Sequence, residues 1–174
     1  IESGLNPRAR SSAAAVGPWQ FMDYTAKEAG LRLDWWVDER RDPEKSTRAA
    51  AGYIADLYRR FEDWALVLAA YNAGAGRTAR AIRLRGHDNY WDLHLPSQTT
   101  DYVPKFIAAA RIAADPGSFG FEVCDVSPLA YDVLPVDDAT DLGLIARCAE
   151  VDVDVLLKLN PALLRGASPP DSPG

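Results

Sequence analysis

The fold is decided by an almost wholly apolar stretch near the middle of the chain, Trp64–Tyr71, which reads WALVLAAY. A helix that is apolar on every side is typical of the buried centre of a helical domain, since a surface helix keeps one polar face. Asn72 and Gly74 follow directly and are typical of a helix end. The stretch therefore predicts a buried central helix on which the neighbouring elements pack.

The flanking segments predict further helices and few or no strands. Ser46 is predicted to cap a helix whose apolar positions, from Ala50 to Phe61, fall on one face. Gly30 is predicted to stop an earlier helix. These patterns indicate a mainly α lobe over residues 1–116. Its other predicted helices cover residues 21–29, 77–84 and 102–114.

The pattern changes after Gly117, where alternating residues suit short strands and are followed by two short helical segments. We expect a small α+β segment over residues 117–167. The last residues, 168–174, are rich in Pro, Ser and Gly and are predicted to form a disordered tail. The predicted elements of the segment are two strands, 119–124 and 130–136, and two helices, 142–149 and 153–159.

Composition and charge indicate a folded domain that does not bind nucleic acid. The chain has 174 residues, of which 48% are hydrophobic, enough to bury a sizeable core. Its net charge is −6, whereas a phosphate backbone is met by clustered Lys and Arg. One basic cluster, the arginines at positions 77, 80, 83 and 85, is predicted to be a solvated face. No apolar run approaches the roughly 20 residues of a membrane helix.

Cysteines and histidines are few. Cys124 and Cys148 permit one disulfide, which spacing alone does not decide, and we favour free, partly buried thiols. His87 and His94 are the only histidines, and His87 follows a glycine in a predicted surface turn. Because no close Cys pair accompanies them, no metal site and no cofactor are predicted.

The strongest functional pattern is a set of short polar and aromatic segments. Glu2 and Ser3 supply a carboxylate beside a hydroxyl, and an aromatic and amide segment, GPWQFM, follows at residues 17–22. About fifty residues later comes AYNAG, at residues 70–74. An acid, orienting donors and flat rings are what cleavage of a sugar chain requires. The pattern therefore predicts a carbohydrate-cleaving site.

These segments resemble the lytic transglycosylases of the lysozyme-like SLT family, the membrane-bound D type in particular. The family segment E-S-x-F-N-P-x-A-x-S-x-x-G-A-x-G-L-W-Q-F places its catalytic Glu on Glu2. Three further segments follow in order: DERRDPEKST at residues 38–47, AYNAG at 70–74, and QTTDYVP at 98–104. The resemblance covers residues 1 to about 112 and implies a lysozyme-like, goose-type helical fold.

Four positions depart from the family pattern. Leu5 replaces Phe, which exchanges one apolar filler for another, and Ala14 replaces Gly, which matters where the backbone needs a positive φ. Pro18 replaces Leu, removing a backbone donor close to Gln20. Gln98 replaces Glu and keeps a hydrogen-bonding end.

The resemblance implies a reaction that needs one carboxyl group. Glu2 is expected to protonate the oxygen between N-acetylmuramic acid and N-acetylglucosamine, then to take the proton of the muramoyl O6 hydroxyl as that oxygen closes onto C1. The product is a 1,6-anhydromuramoyl end, formed without water. Apolar groups are expected to desolvate the carboxyl, with Phe21, Met22 and Tyr71 as candidates.

The same resemblance implies the residues that surround the substrate. Ser3, Gln20 and Asn72 are expected to bind the sugar or its N-acetyl groups. Tyr102 is expected to donate a hydrogen bond to the Glu2 carboxyl. Phe21 and Tyr71 are included among the substrate-binding residues, and Trp19 either contacts substrate or fills the core.

Two alternatives remain open from the sequence. A hydrolase of goose-type lysozyme architecture would use the same acid with a second carboxylate that activates water, for which Asp38, Glu39 and Asp42 are candidates. A non-catalytic peptidoglycan-binding domain is the other.

The ends of the chain carry two further interpretations. An Ile one position before Glu2 indicates an N-terminally truncated piece of a longer protein. We expect its partner to be peptidoglycan glycan strands, its location the periplasm or cell envelope, and membrane association only through a missing N-terminal anchor. The order strand, helix, helix, Leu-Asn-Pro, ending at Pro161, weakly resembles a LysM glycan-binding module, here degenerate or truncated and packed on the catalytic lobe.

Overall fold

The apolar stretch forms helix α3, Trp64–Ala73, in a computed structural model that describes residues 2–123, 127, 129–136 and 138–170. Five consecutive residues, 66–70, are buried. The Asp63 carboxylate caps the helix by accepting the backbone N–H of Leu66 at 2.8 Å. Gly74 ends it with a φ of 93°. The buried central helix is therefore confirmed.

Three longer helices accompany α3, and all begin earlier than predicted. They are α2, Pro43–Phe61, α4, Ala75–Arg85, and α5, Ser97–Ala114. Helix α3 packs against α4 and α5 in a compact unit, Gly52–Pro128. Its core unites side chains of α3 and α5 with two residues from the intervening loop. The buried members of this cluster are Leu66, Leu68, Ala69, Tyr90, Leu93, Tyr102 and Val103.

The predicted cap of α2 is wrong. Ser46 lies inside the helix, fully buried, and its hydroxyl donates to the carbonyl of Asp42. The true cap is Asp42, whose Oδ1 accepts the backbone N–H groups of Glu44 and Lys45 at 2.9 Å each. Pro43 then occupies the first helical position, where its missing N–H costs nothing. An Asp-Pro pair was thus the stronger start signal.

Helix α5 contains a proline that the fold accommodates. Pro104 lacks the N–H that would bond the carbonyl of Thr100, four residues earlier. The Tyr90 hydroxyl instead donates to that carbonyl at 3.5 Å and to the Thr99 carbonyl at 3.3 Å. Tyr90 is only 5% exposed, and this burial raises the pKa of its hydroxyl, with the Asp101 charge adding to the shift.

The second compact unit combines Glu2–Ala51 with Leu129–Gly174. It holds three short helices: α1, Asp23–Glu28, α6, Leu142–Ala149, and α7, Val153–Leu159. Helices α6 and α7 pack on each other. Extended segments are joined by isolated antiparallel bridges between residue pairs, which are Arg10–Val16, Val16–Phe21, Leu33–Asp38, Val37–Leu163 and Asp141–Ala167.

The C-terminal part of this unit is tied to its N-terminal part by backbone hydrogen bonds. The N–H of Asp38 donates to the Ala162 carbonyl at 2.9 Å, and the N–H of Leu164 donates to the Trp36 carbonyl at 2.8 Å. The Arg165 guanidinium lies 3.5 Å from the centre of the Trp35 ring and donates through Nε to the Trp35 carbonyl. These contacts support a C-terminal segment packed on the rest of the unit.

The mainly α fold is confirmed, but the two predicted strands do not form in the described parts of 119–124 and 130–136. Gly117–Phe119 is a 3₁₀ turn, and residues 130–136 have no regular structure. Val133 is 82% exposed, which an inward-facing strand residue would not be. Sequence alternation gives a strand its faces but cannot supply the neighbouring strand that it needs for hydrogen bonds.

Two predictions near the C-terminus need correction. Ser168 belongs to the predicted disordered tail, yet it is 8% exposed and its hydroxyl accepts the Thr140 N–H and donates to the Asp138 carbonyl, both at 2.8 Å. Residues 171–174 lie outside the described part. Cys148 is an exposed thiol rather than a partly buried one. The predicted free state of Cys148 is confirmed, whereas Cys124 lies outside the described residues.

No helix in the described ranges combines the length and apolar character that crossing a membrane requires. Within the same ranges, no three His, Cys, Asp or Glu side chains gather closely enough to hold a metal ion.

The exposed placement predicted for His87 and for the arginines of α4 is confirmed.

Candidate active site

The candidate acid, Glu2, has a partly buried carboxyl group. Its Oε1 is inaccessible to solvent and has no hydrogen-bond partner among the described residues. Ser3, the next residue, donates from Oγ to the Pro18 carbonyl at 2.9 Å. This bond fixes the start of the chain to the segment that carries Gln20. Glu2 is thus anchored through its neighbour, while its buried Oε1 accepts no structural donor among the described residues.

The aromatic and amide segment forms a tight turn. Val16 and Phe21 pair through two backbone hydrogen bonds of 3.1 Å, and residues 17–20 close the loop between them. Gly17 has a φ of 85° and Gln20 a φ of 51°, so both adopt the left-handed region. The Gln20 side chain donates from Nε2 to the Gly17 carbonyl at 2.8 Å. A non-glycine residue held in this conformation within a functional motif is typical of a site that fixes side-chain direction.

The turn rests on a buried ion pair. Asp38 is 7% exposed and accepts from Arg40 Nε and Nη2, each at 2.8 Å, in a bidentate pair. Arg40 also donates from Nη1 to the Phe21 carbonyl at 3.3 Å. The Arg40 backbone approaches Gly17 so closely that an added Cβ would lie 1.8 Å from the Arg40 carbonyl oxygen. The family segment at residues 38–47 therefore supports the segment at 17–21.

Three of the departures from the family pattern have a structural outcome. Ala14 has a φ of 66°, so this position does need the conformation that Gly tolerates best. Leu5 is 78% exposed, and its interpretation as an apolar filler is wrong. Pro18 occupies the second position of the 17–20 turn, where its fixed φ is favoured and no N–H is needed. Its replacement of Leu is compatible with the turn.

The remaining candidate residues lie in the unit that contains α3 and α5. Asn72, near the end of α3, accepts the Thr99 hydroxyl at Oδ1, with a distance of 2.9 Å. Thr99 is 2% exposed, so its hydroxyl fixes the amide. Tyr102 is 7% exposed within the α3–α5 core, and Tyr71 is half-buried with its ring centre 5.9 Å from that of Tyr53. Both tyrosines therefore contribute to packing.

Three further aromatic and apolar candidates differ in exposure and contacts. Phe21 is 3% exposed, whereas Met22 is 43% exposed and is poorly placed to exclude water. Trp19 is partly exposed and donates from its indole nitrogen to the Thr47 hydroxyl at 2.8 Å. The indole is therefore held by helix α2, and it is not simply a core residue.

The carboxylates proposed for a hydrolytic mechanism are already engaged. Asp38 pairs with Arg40, and Glu39 accepts the Arg32 N–H at 2.7 Å and the Lys45 ammonium at 2.5 Å. Asp42 caps α2. A water-activating base has to be free to accept a proton from water, whereas each of these three carboxylates already accepts hydrogen bonds from structural donors.

Sequence reasoning missed the supporting residues rather than the motifs. Thr99, Thr47 and Arg40 all lie in segments that match the family, yet no role was predicted for them. The sequence carries little sign of these roles, because a hydroxyl or a guanidinium that holds another side chain produces no repeating pattern along the chain. Gly17 carried only a turn signal, since a glycine before a proline marks a turn but does not reveal the close approach of the Arg40 backbone.

Comparison with known proteins agrees with the motifs. A family model described as the transglycosylase SLT domain matches residues 1–94, more than half of the chain. The chain belongs to this family. The resemblance drawn from the segments at residues 2–21, 38–47 and 70–74 is thereby confirmed.

Relatives within the SLT family include enzymes of bacteria and of a phage. Membrane-bound lytic murein transglycosylase D of Escherichia coli strain K12 is 39% identical over 166 residues, which cover 92% of this chain and 37% of that protein. Membrane-bound lytic murein transglycosylase F of Shewanella loihica is 35% identical over 91 residues, 48% of this chain and 18% of that protein. Peptidoglycan transglycosylase gp16 of Escherichia phage T7 is 42% identical over 78 residues, 44% of this chain and 6% of that protein. This SLT chain therefore spans about a third of the length of its E. coli relative.

Proposed function

We propose that this SLT chain is the catalytic part of a peptidoglycan lytic transglycosylase, with Glu2 as its acid and then its base. One observation carries the proposal: Glu2 Oε1 is buried and has no partner among the described residues, while Asp38, Glu39 and Asp42 accept structural donors. Of these four carboxyl groups, only that of Glu2 has a buried oxygen without a donor in the described part of the chain, which fits a reaction that needs one carboxyl group. The family membership and the printed names of the relatives support the same chemistry.

The proposed reaction conserves all atoms of the substrate. Glu2 donates a proton to the glycosidic oxygen between N-acetylmuramic acid and N-acetylglucosamine, and the bond from that oxygen to C1 breaks. The O6 hydroxyl of the same muramoyl residue attacks C1 and gives its proton to the Glu2 carboxylate. The glutamic acid is regenerated, and the product carries a 1,6-anhydro bridge. An intramolecular nucleophile avoids the entropy cost of positioning a water molecule.

The positions of the neighbouring residues support defined roles. Ser3 follows Glu2 and bonds the Pro18 carbonyl in the turn that carries Gln20, and we assign Ser3 and Gln20 to sugar hydroxyl or N-acetyl groups. Asn72, whose Oδ1 is taken by Thr99, would offer its amide nitrogen as a donor. Tyr102 would orient the Glu2 carboxyl, and Phe21 and Tyr71 would supply apolar surface.

The proposal extends to location and to the C-terminal segment. Relatives named membrane-bound murein transglycosylases support a place in the cell envelope, with peptidoglycan strands as the partner. We assign the reaction to residues 1–116. Residues 117–167 would be a degenerate LysM-like segment. Two observations support this: α6 and α7 pack on each other, and a backbone bridge joins Asp141, just before α6, to Ala167, after α7.

The test is mass spectrometry of purified peptidoglycan digested by the full-length protein. We expect muropeptides with anhydro ends, and we expect Glu2→Gln to reduce their rate of formation by about 10²–10⁴-fold, the usual contribution of a positioned acid and base. Glu39→Gln is the matched control, since it makes the same chemical change at a carboxylate assigned a structural role, and it should keep forming anhydro ends. Reducing ends in place of anhydro ends would establish a hydrolase. Full activity of Glu2→Gln would remove Glu2 from the mechanism.

A further inference from the structure

Helix α4 concentrates positive charge that the proposed reaction does not use. It carries four arginines and no acidic residue among eleven positions, on a chain whose net charge is −6. All four side chains are exposed. No carboxylate among the described residues forms an ion pair with any of them, whereas Arg32, Arg40 and Arg59 each have such a partner.

Three of these arginines form a row on one face of the helix. Arg77, Arg80 and Arg83 are three residues apart, so they lie within an arc of about 120° and span about 9 Å along the axis. The opposite face is occupied: Thr78 is fully buried, and Ala81 and Ile82 pack against the α3–α5 core. Because the apolar face is already buried, α4 presents charge rather than a face for membrane insertion.

The arginine row, Arg77, Arg80 and Arg83, begins a few residues after Asn72, in the same unit. Helix α4 starts one residue after Gly74, and the backbone N–H groups of Arg77 and Thr78 both donate to the Gly74 carbonyl at 3.2 Å. Asn72 lies just before this glycine. The row therefore leads away from the segment to which substrate binding is assigned.

We propose that the arginine row binds the carboxylate groups of the peptide stems attached to the glycan strand, so that the site takes stem-bearing peptidoglycan in preference to bare glycan. This inference rests on the proposed function. Guanidinium groups pair with carboxylates in a bidentate geometry that ammonium groups do not reproduce, and the row contains only arginine. Its length matches about three residues of extended peptide, at roughly 3.3–3.6 Å per residue. Neutral sugars would not require such a row.

The test is co-sedimentation of the full-length protein, in a Glu2→Gln background, with purified peptidoglycan before and after its stems are removed. An amidase releases the stems, and the lactyl carboxylates that this exposes on the glycan are then converted to neutral amides with a carbodiimide and ethanolamine. The row variant combines Arg77→Gln, Arg80→Gln and Arg83→Gln. The matched control makes the same change, Arg to Gln, at three exposed positions of helix α2: Arg48→Gln, Arg59→Gln and Arg60→Gln. Comparing the two variants separates a local contact from the effect of net charge.

We expect the row variant to bind intact peptidoglycan about tenfold more weakly than the control, since three exposed charge pairs each contribute modestly. The two variants should bind stripped glycan equally, and their difference on intact material should shrink as salt screens the charges. Equal binding of both variants to intact peptidoglycan would overturn the inference. So would equal losses on intact and stripped material, or row-dependent binding to anionic phospholipid vesicles without dependence on stems.

The failure of this inference can be told apart from failure of the proposed function. Anhydro products from the unsubstituted protein, together with unaltered binding by the row variant, would retain the reaction and reject the stem contact. Stem-dependent binding without anhydro products would reject the reaction and retain the contact.

Discussion

Gly17→Ala is the substitution with the most sharply defined consequence. A Cβ at this position would lie 1.8 Å from the Arg40 carbonyl oxygen and 2.6 Å from its carbon, where contacts under 3.0 Å essentially never occur. The two backbone segments would have to separate by about 1.2 Å, and the hydrogen bond from Arg40 to the Phe21 carbonyl, now 3.3 Å, would lengthen. Overpacking of this kind costs about 1–3 kcal/mol, and a positive φ for Ala adds about 1 kcal/mol.

Gly30→Ala is the matched control. Gly30 has a φ of 80°, close to the 85° of Gly17, but an added Cβ there would meet nothing within 4 Å. We expect the control to lose about 1 kcal/mol and Gly17→Ala about 2–4 kcal/mol, measured by chemical denaturation. For a chain of this size, each kcal/mol corresponds to roughly 2–4 °C in Tm. Equal destabilisation by the two substitutions would show that the close approach of residues 17 and 40 does not stabilise the turn, and the reasoning would be refuted.

Three further predictions concern strained or buried groups. Ala14→Gly should stabilise the protein by about 0.5 kcal/mol because it relieves a positive φ. The adjacent Ala13→Gly should destabilise it by a similar amount. A lower free energy of unfolding for both variants would contradict this prediction. Tyr90→Phe should lower the free energy of unfolding by about 1–2 kcal/mol, because the Thr100 carbonyl loses its hydrogen-bond donor. The loss should be smaller in a Pro104→Ala background, where the N–H of residue 104 can bond that carbonyl instead. An equal loss in both backgrounds would show that Tyr90 does not compensate for Pro104. Since burial raises the pKa of Tyr90, its contribution should be constant below about pH 10, the unfolded value, and decline as pH rises through the folded pKa. Thermal unfolding at pH 9 and 11 should show this decline in the parent and a smaller one in Tyr90→Phe.

The helices could be predicted from sequence because their signals are local. Residues 64–71 are apolar on every side, and the α3 that they form needs no distant partner to be recognised. Helix starts were less accurate, because two cap signals competed at α2 and Asp42 prevailed over Ser46. Asp42 supplies the capping oxygen, and the Pro43 that follows it has a φ already suited to the first helical position. Ser46 is not followed by a proline and offers only a hydroxyl oxygen.

Features that depend on long-range contacts could not be predicted. The strands expected at 119–124 and 130–136 had the right alternation, but the described parts of both lack a neighbouring strand. The importance of Gly17 follows from the Arg40 backbone, which is distant in sequence. The candidate acid was found only because Glu2 stands in a family segment, since one carboxylate among 25 acidic residues has no distinguishing local pattern.

The backbone bridge between Val37 and Leu163 has a consequence for the order of folding. The described part of the unit around α3 comes from one continuous stretch of chain, Gly52–Pro128, so it can form as soon as those residues are available. The unit that holds Glu2 must instead wait for residues 129 onward, because Val37 pairs with Leu163. Closing the loop between these two residues carries an entropic cost that grows with its length. During synthesis we therefore expect the middle of the chain to fold first and the first fifty residues to remain incomplete until the segment around Leu163 has been made. A polypeptide cut at residue 94, where the family match ends, would retain the motifs at residues 2–21, 38–47 and 70–74 but lack Leu163, the partner of Val37.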